Sequence, residues 1–233
     1  MKFRYISHPL LLTGLALLGA GAIAWAIVSR PRSAPSSENA GPLRVGAREI
    51  EFPATVSRKA FERELLGLGM AGYHLIVWNE GGAAAAALFR AEVTDTQVLD
   101  AMERLGAKPG NALGMATWEE RKDSASKAPD QVIQGPPVDV LVRVPGQPAL
   151  VTLDQILEDP GRRGFDMRFG GHRANIPKWK SGCIVCLYSC PGSKVGNARY
   201  TVRDWVNERT KFRVKPGVLP EDGMRVGIVF RLR

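Results

Sequence analysis

Histidine and cysteine are scarce in this 233-residue chain, with three of each. An odd number of cysteines cannot close fully into internal disulfides. No G-x-S-x-G, Walker A or H-E-x-x-H pattern occurs. Their absence removes the nucleophile-elbow hydrolases, the P-loop nucleotide enzymes and the zincins. The adjacent carboxylates Glu119 and Glu120 lie in a polar stretch, so no acid pair stands out as a hydrolase constellation. No internal repeat recurs at solenoid spacing, and the N-terminal region has no twin-arginine signal.

Against these absences stand three positive features. The chain carries 32 basic and 23 acidic residues, a net charge of +9. Such a balance suits an anionic surface, whether lipid, acidic protein or nucleic acid. The second feature is the run Pro9–Val28, twenty residues without a charge. At about 1.5 Å per residue a helix of that length reaches roughly 30 Å, the hydrocarbon thickness of a bilayer. The run reads as a single-pass transmembrane anchor, with a cleaved signal peptide as the rival because Ala22–Ala26 offers small residues at cleavage-like spacing. The expected location is the cell membrane. Lys2 and Arg4 before the run and Arg30, Arg32, Arg44 and Arg48 after it leave the membrane face open.

The remainder divides by composition. The anchor occupies residues 1–30 and a Pro/Ser-rich flexible tether residues 31–42. A mixed α and β region follows over residues 43–118, a polar linker over 119–137 and a strand-rich domain over 138–233. In the first region Ser57 is the expected N-cap of a helix with Phe61, Leu65 and Leu68 on its apolar face, and Glu49–Val56 reads as a strand bending at Pro53. Tyr73–Trp78 is a β-rich run, and Thr94 with Gln97 forms a capping box before the stripe Val98, Leu99, Met102 and Leu105. In the second region Val138, Val140, Val142 and Val144 share one strand face, as do Met224, Val226, Ile228, Phe230 and Leu232. Thr152 and Gln155 repeat the capping-box spacing. The expected fold class is therefore α+β: one N-terminal transmembrane helix, a tether, and a mixed soluble region whose strand-rich C-terminal part carries the cysteines.

The third feature is the cysteine set itself, Cys183, Cys186 and Cys190 in the spacing C-x2-C-x3-C-P. Removing one C-x2 unit from the bacterial ferredoxin motif gives this pattern, terminal Cys-Pro included. Thiolates on a turning loop can converge on one centre. The leading reading is an iron–sulfur cluster of 3Fe-4S or 4Fe-4S type, and zinc in a Cys₃His site is the alternative. A Cys183–Cys186 redox pair and three buried structural thiols remain open beside them. For a fourth ligand, His172 lies eleven residues before Cys183 and is favoured slightly over His74, while His8 is too remote. Basic residues flank the loop on both sides, from Arg162 to Lys180 and from Arg199 to Lys215. They would stabilise an anionic centre or dock an acidic electron carrier. Trp179, Trp205 and Phe212 interleave with them, but without a recognised module no nucleic acid is expected.

The segments "GYHLIVW", "AMERLGAKPGN" and "SGCIVCLYSCPGSKVGNARYTVRDW" together resemble the bacterial YdjY-like proteins over roughly Ile50 to Leu232. The resemblance implies a ferredoxin-like, iron–sulfur-associated protein. The chain departs from a typical ferredoxin in lacking a fourth cysteine. The combined reading is a membrane-anchored electron-transfer protein without substrate turnover, serving a membrane redox complex or an acidic electron-carrier protein. An accessory or assembly subunit with zinc-bound or structural cysteines is the alternative, and a thiol–disulfide protein the third possibility.

Overall fold

The computed structural model describes residues 42–63, 71–110, 113–123, 125–207 and 211–233. In chain order the strands are β1 (Arg44–Val45), β2 (Glu49–Val56), β3 (His74–Trp78), β4 (Ala87–Ala91), β5 (Val138–Arg143), β6 (Val151–Thr152), β7 (Leu157–Glu158), β8 (Met167–Phe169), β9 (Cys183–Cys186), β10 (Val195–Asn197), β11 (Arg213–Val214) and β12 (Arg225–Leu232). The helices are α1 (Arg58–Glu62), α2 (Asp95–Arg104), α3 (Met115–Lys122), α4 (Leu153–Ile156), α5 (Ile176–Trp179) and α6 (Val202–Val206).

One mixed sheet runs β6-β5-β12-β2-β4-β3-β9-β10-β8, with β1 paired to β2, and a small second sheet joins β11 to β7. The pairs β3–β4 and β9–β10 are parallel, and the other pairs are antiparallel. Strands β2, β4 and β3 form its middle, and strands from the C-terminal half close on both sides of them. This corrects the expected fold class. The two halves do not follow one another as a mixed region and a strand-rich part. Their strands share one sheet because β12, the last element, returns to pair with β2 along seven residues. Strand β2 alternates in burial and β12 buries Val226, Ile228 and Phe230 on one face, so the pairing places Phe52 and Phe230 in edge-to-face contact at 5.3 Å in one core.

The single-pass membrane reading is corrected as well. Among the described residues no helix is long and apolar enough to cross a membrane. The longest, α2, has ten residues and spans about 15 Å, half the bilayer core. The run Pro9–Val28 that prompted the reading lies outside the described residues, as does nearly all of the tether.

Local expectations divide along physical lines. Thr94 and Gln97 close their capping box in both directions, and Val98, Leu99 and Met102 are buried beneath it. Val138, Val140 and Val142 face the core together. Ser57 does not cap α1: its hydroxyl accepts from Arg90 Nε instead. Leu65 and Leu68 lie outside the described residues. Pro53 causes no break; it sits inside β2 opposite Gly227, and its carbonyl accepts from Glu92 N. Met224 precedes β12 and is exposed.

The turn between β3 and β4 positions the approach to β9. Gly82 N and Ala83 N donate to the carbonyls of Lys180 and Ser181, while Trp78 N donates to Gly182 O. The backbones meet so closely that a Cβ on Gly81 would stand 2.4 Å from Ser181 O and 2.7 Å from Gly182 Cα. Gly182 itself has φ +65°, a conformation that favours glycine. Gly81→Ala is therefore expected to cost on the order of 1–3 kcal/mol in denaturant unfolding, since backbone atoms must move. An unchanged midpoint would show that the two segments are not locked together.

Candidate metal centre

Strands β3 and β9 are both buried and adjacent, which carries the cysteines to the inside of the sheet. In a regular strand, residues three apart point to opposite faces. Cys183 and Cys186 nevertheless converge, with Sγ atoms 2.8 Å apart. The cause is the β3–β9 register: His74 pairs with Cys186, Ile76 with Val185 and Val77 with Cys183. Leu75 is the extra residue on β3 and Ile184 the extra residue on β9, so two compensating bulges re-aim the side chains.

His74 completes the group. Its Nδ1 lies 3.5 Å from both Cys183 Sγ and Cys186 Sγ. The three ligand atoms all lie within 4.8 Å of one another and all three residues are buried. Cys190 is on the turn that follows β9. Its Sγ accepts from Gly192 N at 3.4 Å, and its thiol neighbours that of Cys186 closely enough to share a hydrogen bond. The structure thus brings all three predicted cysteines together, with Cys190 at the margin.

His172 is placed differently. Its Nδ1 faces Ser193 O at 2.7 Å, where it braces the cysteine turn, and it does not join the His74–Cys183–Cys186 group. That turn has other supports that the spacing did not reveal. Asn175 Nδ2 donates to Leu113 O and to Pro191 O. Lys194, fully buried, donates to Gly192 O and pairs with Asp95 at 3.0 Å. Lys194 lies within the conspicuous "CPGSKVG" block, but a lysine at a turn gives no sign in sequence that it will be buried.

The electrostatics follow from this packing. Burial by itself pushes the Cys183 thiol up. Hydrogen bonds from Cys186 and His74, with the charges of His74 and Lys194, outweigh it and hold Cys183 at about 6. Burial pulls His74 down, but its hydrogen bond to Cys183 and the thiolate charge raise it overall. Cys186 is pushed well up, first by burial and then by its bonds to the other two sulfurs. The hydrogen bond from Cys186 lowers Cys190 against the effect of burial. The mutual contacts of His74 and Cys183 favour the charged form of each, while Cys186 is held toward the neutral thiol.

The flanking basic residues are less free than their number implies. Arg163 pairs with Asp204, Arg168 with Asp166, Arg173 with Asp100 and Glu103, and Arg203 with Asp130. On the open side, a cavity of about 380 Å³ reaches His74, Cys183 and Cys190 between Tyr73, Trp118 and Trp179.

The comparisons with known proteins bear on the whole domain. The YdjY domain profile matches residues 45–231, which include every strand from β2 to the end of the cysteine turn and nearly all of β12. The Escherichia coli (strain K12) protein named "Uncharacterized protein YdjY" is 30% identical over 161 residues, covering 68% of this chain and 67% of its own. No solved structure matches the chain. The chain belongs to the YdjY domain family.

Proposed function

We propose that this protein binds a single soft metal ion through His74, Cys183 and Cys186, with Cys190 as the fourth ligand. One observation carries this reading, the convergence of one imidazole nitrogen and two sulfurs at 3.5 Å from nitrogen to each sulfur. For a tetrahedral ion with bonds of about 2.3 Å to sulfur and about 2.0–2.1 Å to nitrogen, the nitrogen–sulfur edge is about 3.5 Å. The sulfur–sulfur edge would be about 3.8 Å. The 2.8 Å between Cys183 and Cys186 must therefore open by roughly 1 Å as two thiolates form. Thiolate-rich sites with one imidazole suit zinc or iron. An iron–sulfur cluster fits less well, because each cysteine of a cubane holds its own iron and its sulfurs splay apart. Iron at this site would make the protein an electron carrier; zinc would make it redox-inert.

Metal analysis of protein purified without oxygen tests the reading. The expected result is about one zinc or iron per chain and no acid-labile sulfide. Three or four irons with matching sulfide would replace it with the cluster, and no metal would remove it.

A second reading has an observation of its own. Cys183 and Cys186 are free thiols in contact, and Cys183 is held at about 6. This is the arrangement of a dithiol pair with Cys183 as the attacking sulfur. In metal-free protein the alkylation rate of Cys183 is expected to rise through pH about 6, not through the ordinary ~8.5. Cys186 should stay unreactive over the same range. A midpoint for Cys183 near 8.5 would show that His74 and Lys194 do not activate it.

A further inference from the structure

The cavity over the cysteines contains two hydrogen-bond donors without partners. The hydroxyl of Tyr73 and Nε1 of Trp179 are both buried and unpaired, and both residues line the cavity. Buried polar atoms are nearly always satisfied, so orphans at a cavity wall mark where another molecule sits. Tyr73 is fully buried, stacked on Tyr188 at 4.8 Å and met edge-on by Trp205, which fixes its hydroxyl in place. The Cys190 thiol neighbours that hydroxyl, and no oxygen or nitrogen of the chain pairs with it. Trp118 and Trp179 stand edge-to-face at 5.2 Å as a second aromatic wall. The opposite side is built from Gly82, Ala83, Ala85 and Ala86, small enough to admit a flat ring. None of the lining residues is Asp, Glu, Lys or Arg. An ionised ligand would lose its hydration there without a counter-charge beyond the His74–Cys183 pair. The volume of about 380 Å³ lies within the range of small-molecule sites, about 300–1,000 Å³.

We infer that this cavity binds a small, flat, uncharged aromatic molecule whose carbonyl oxygen accepts from the Tyr73 hydroxyl, next to Cys183 and Cys190. Trp179 Nε1 is the second donor available to it. The inference does not depend on the metal: the walls and donors belong to the chain alone.

The probe is 2-acetylnaphthalene, an aromatic ketone inert to thiols, titrated into the protein as isolated with tryptophan fluorescence and calorimetry as readouts. Saturable one-to-one binding is expected. Tyr73→Phe should weaken the ketone about five- to tenfold, the worth of one neutral hydrogen bond, and leave naphthalene unchanged. Ala85→Phe, at an exposed position on the rim, should abolish binding of both probes while the circular dichroism stays as in the wild type. Absence of saturable binding in the wild type would overturn the site. Equal binding of the ketone by wild type and Tyr73→Phe would overturn the acceptor contact. Tighter binding of 2-naphthoate than of the ketone would overturn the requirement for an uncharged ligand. Metal content is measured on the same sample, so failure of the metal reading and failure of this one are told apart.

Discussion

Cys183→Ser is expected to reduce bound metal from about one ion per chain to less than about a tenth, with His74→Ala doing the same. Loss of an outer-shell partner weakens metal sites by about 10–100-fold. Removing a ligand at the point of convergence should weaken the site by more than that. His172→Ala separates the two histidines. Its ring contacts Ser193 O in the wall of the turn, so the variant should keep its metal and lose only some affinity. Retention of metal by His74→Ala together with its loss from His172→Ala would reverse the ligand assignment. Each variant is checked by metal analysis after gel filtration and by circular dichroism, which separates loss of a ligand from loss of fold.

Lys194→Met should be the most damaging change outside the ligands. Lys194 is 1% exposed and its partner Asp95 8%, so the variant leaves a buried carboxylate without its cation. Breaking a buried pair by removing one member costs about 3–5 kcal/mol. At about 2–4 °C per kcal/mol for a domain of this size, the melting temperature should fall by roughly 6–20 °C. Lys194→Met combined with Asp95→Leu should recover part of the loss, because the orphaned charge is gone. The single variant has a second effect. Lys194 helps to hold Cys183 down, so its removal should move the alkylation midpoint of Cys183 upward from about 6. The sign for stability follows. The folded Cys183 lies below its unfolded value of ~8.5, so its contribution is fully present above that pH and is lost as pH falls through about 6. Removing Lys194 shrinks that contribution. An unchanged melting temperature would show that the pair is not a support of the cysteine turn.

Much of the molecule was legible from local pattern. The alternating valines of β5 and the capping box of α2 depend on neighbours two to four residues away, and each forms as read. The cysteine spacing likewise marked the site, since a short chain segment cannot carry three thiols far apart. Where local reading failed, a distant partner had intervened. Ser57 gives its oxygen to Arg90, from another strand, and the composition break at residues 119–137 conceals strands on either side of it that share one sheet.

The sequence by itself determined which sulfurs belong together, because their separation along the chain limits their separation in space. Only the tertiary structure decided which histidine joins them. His172 is eleven residues from Cys183 and His74 is 109, yet His74 lies opposite Cys186 because β3 and β9 are neighbours in the sheet. Strand pairing is a long-range choice set by burial of both strands, and the bulges that turn Cys183 and Cys186 to one side exist only once that pairing has formed. The same holds for the burial of Lys194 and for the unpaired donors of Tyr73 and Trp179: each is a property of what packs around the residue, not of the residue's place in the chain.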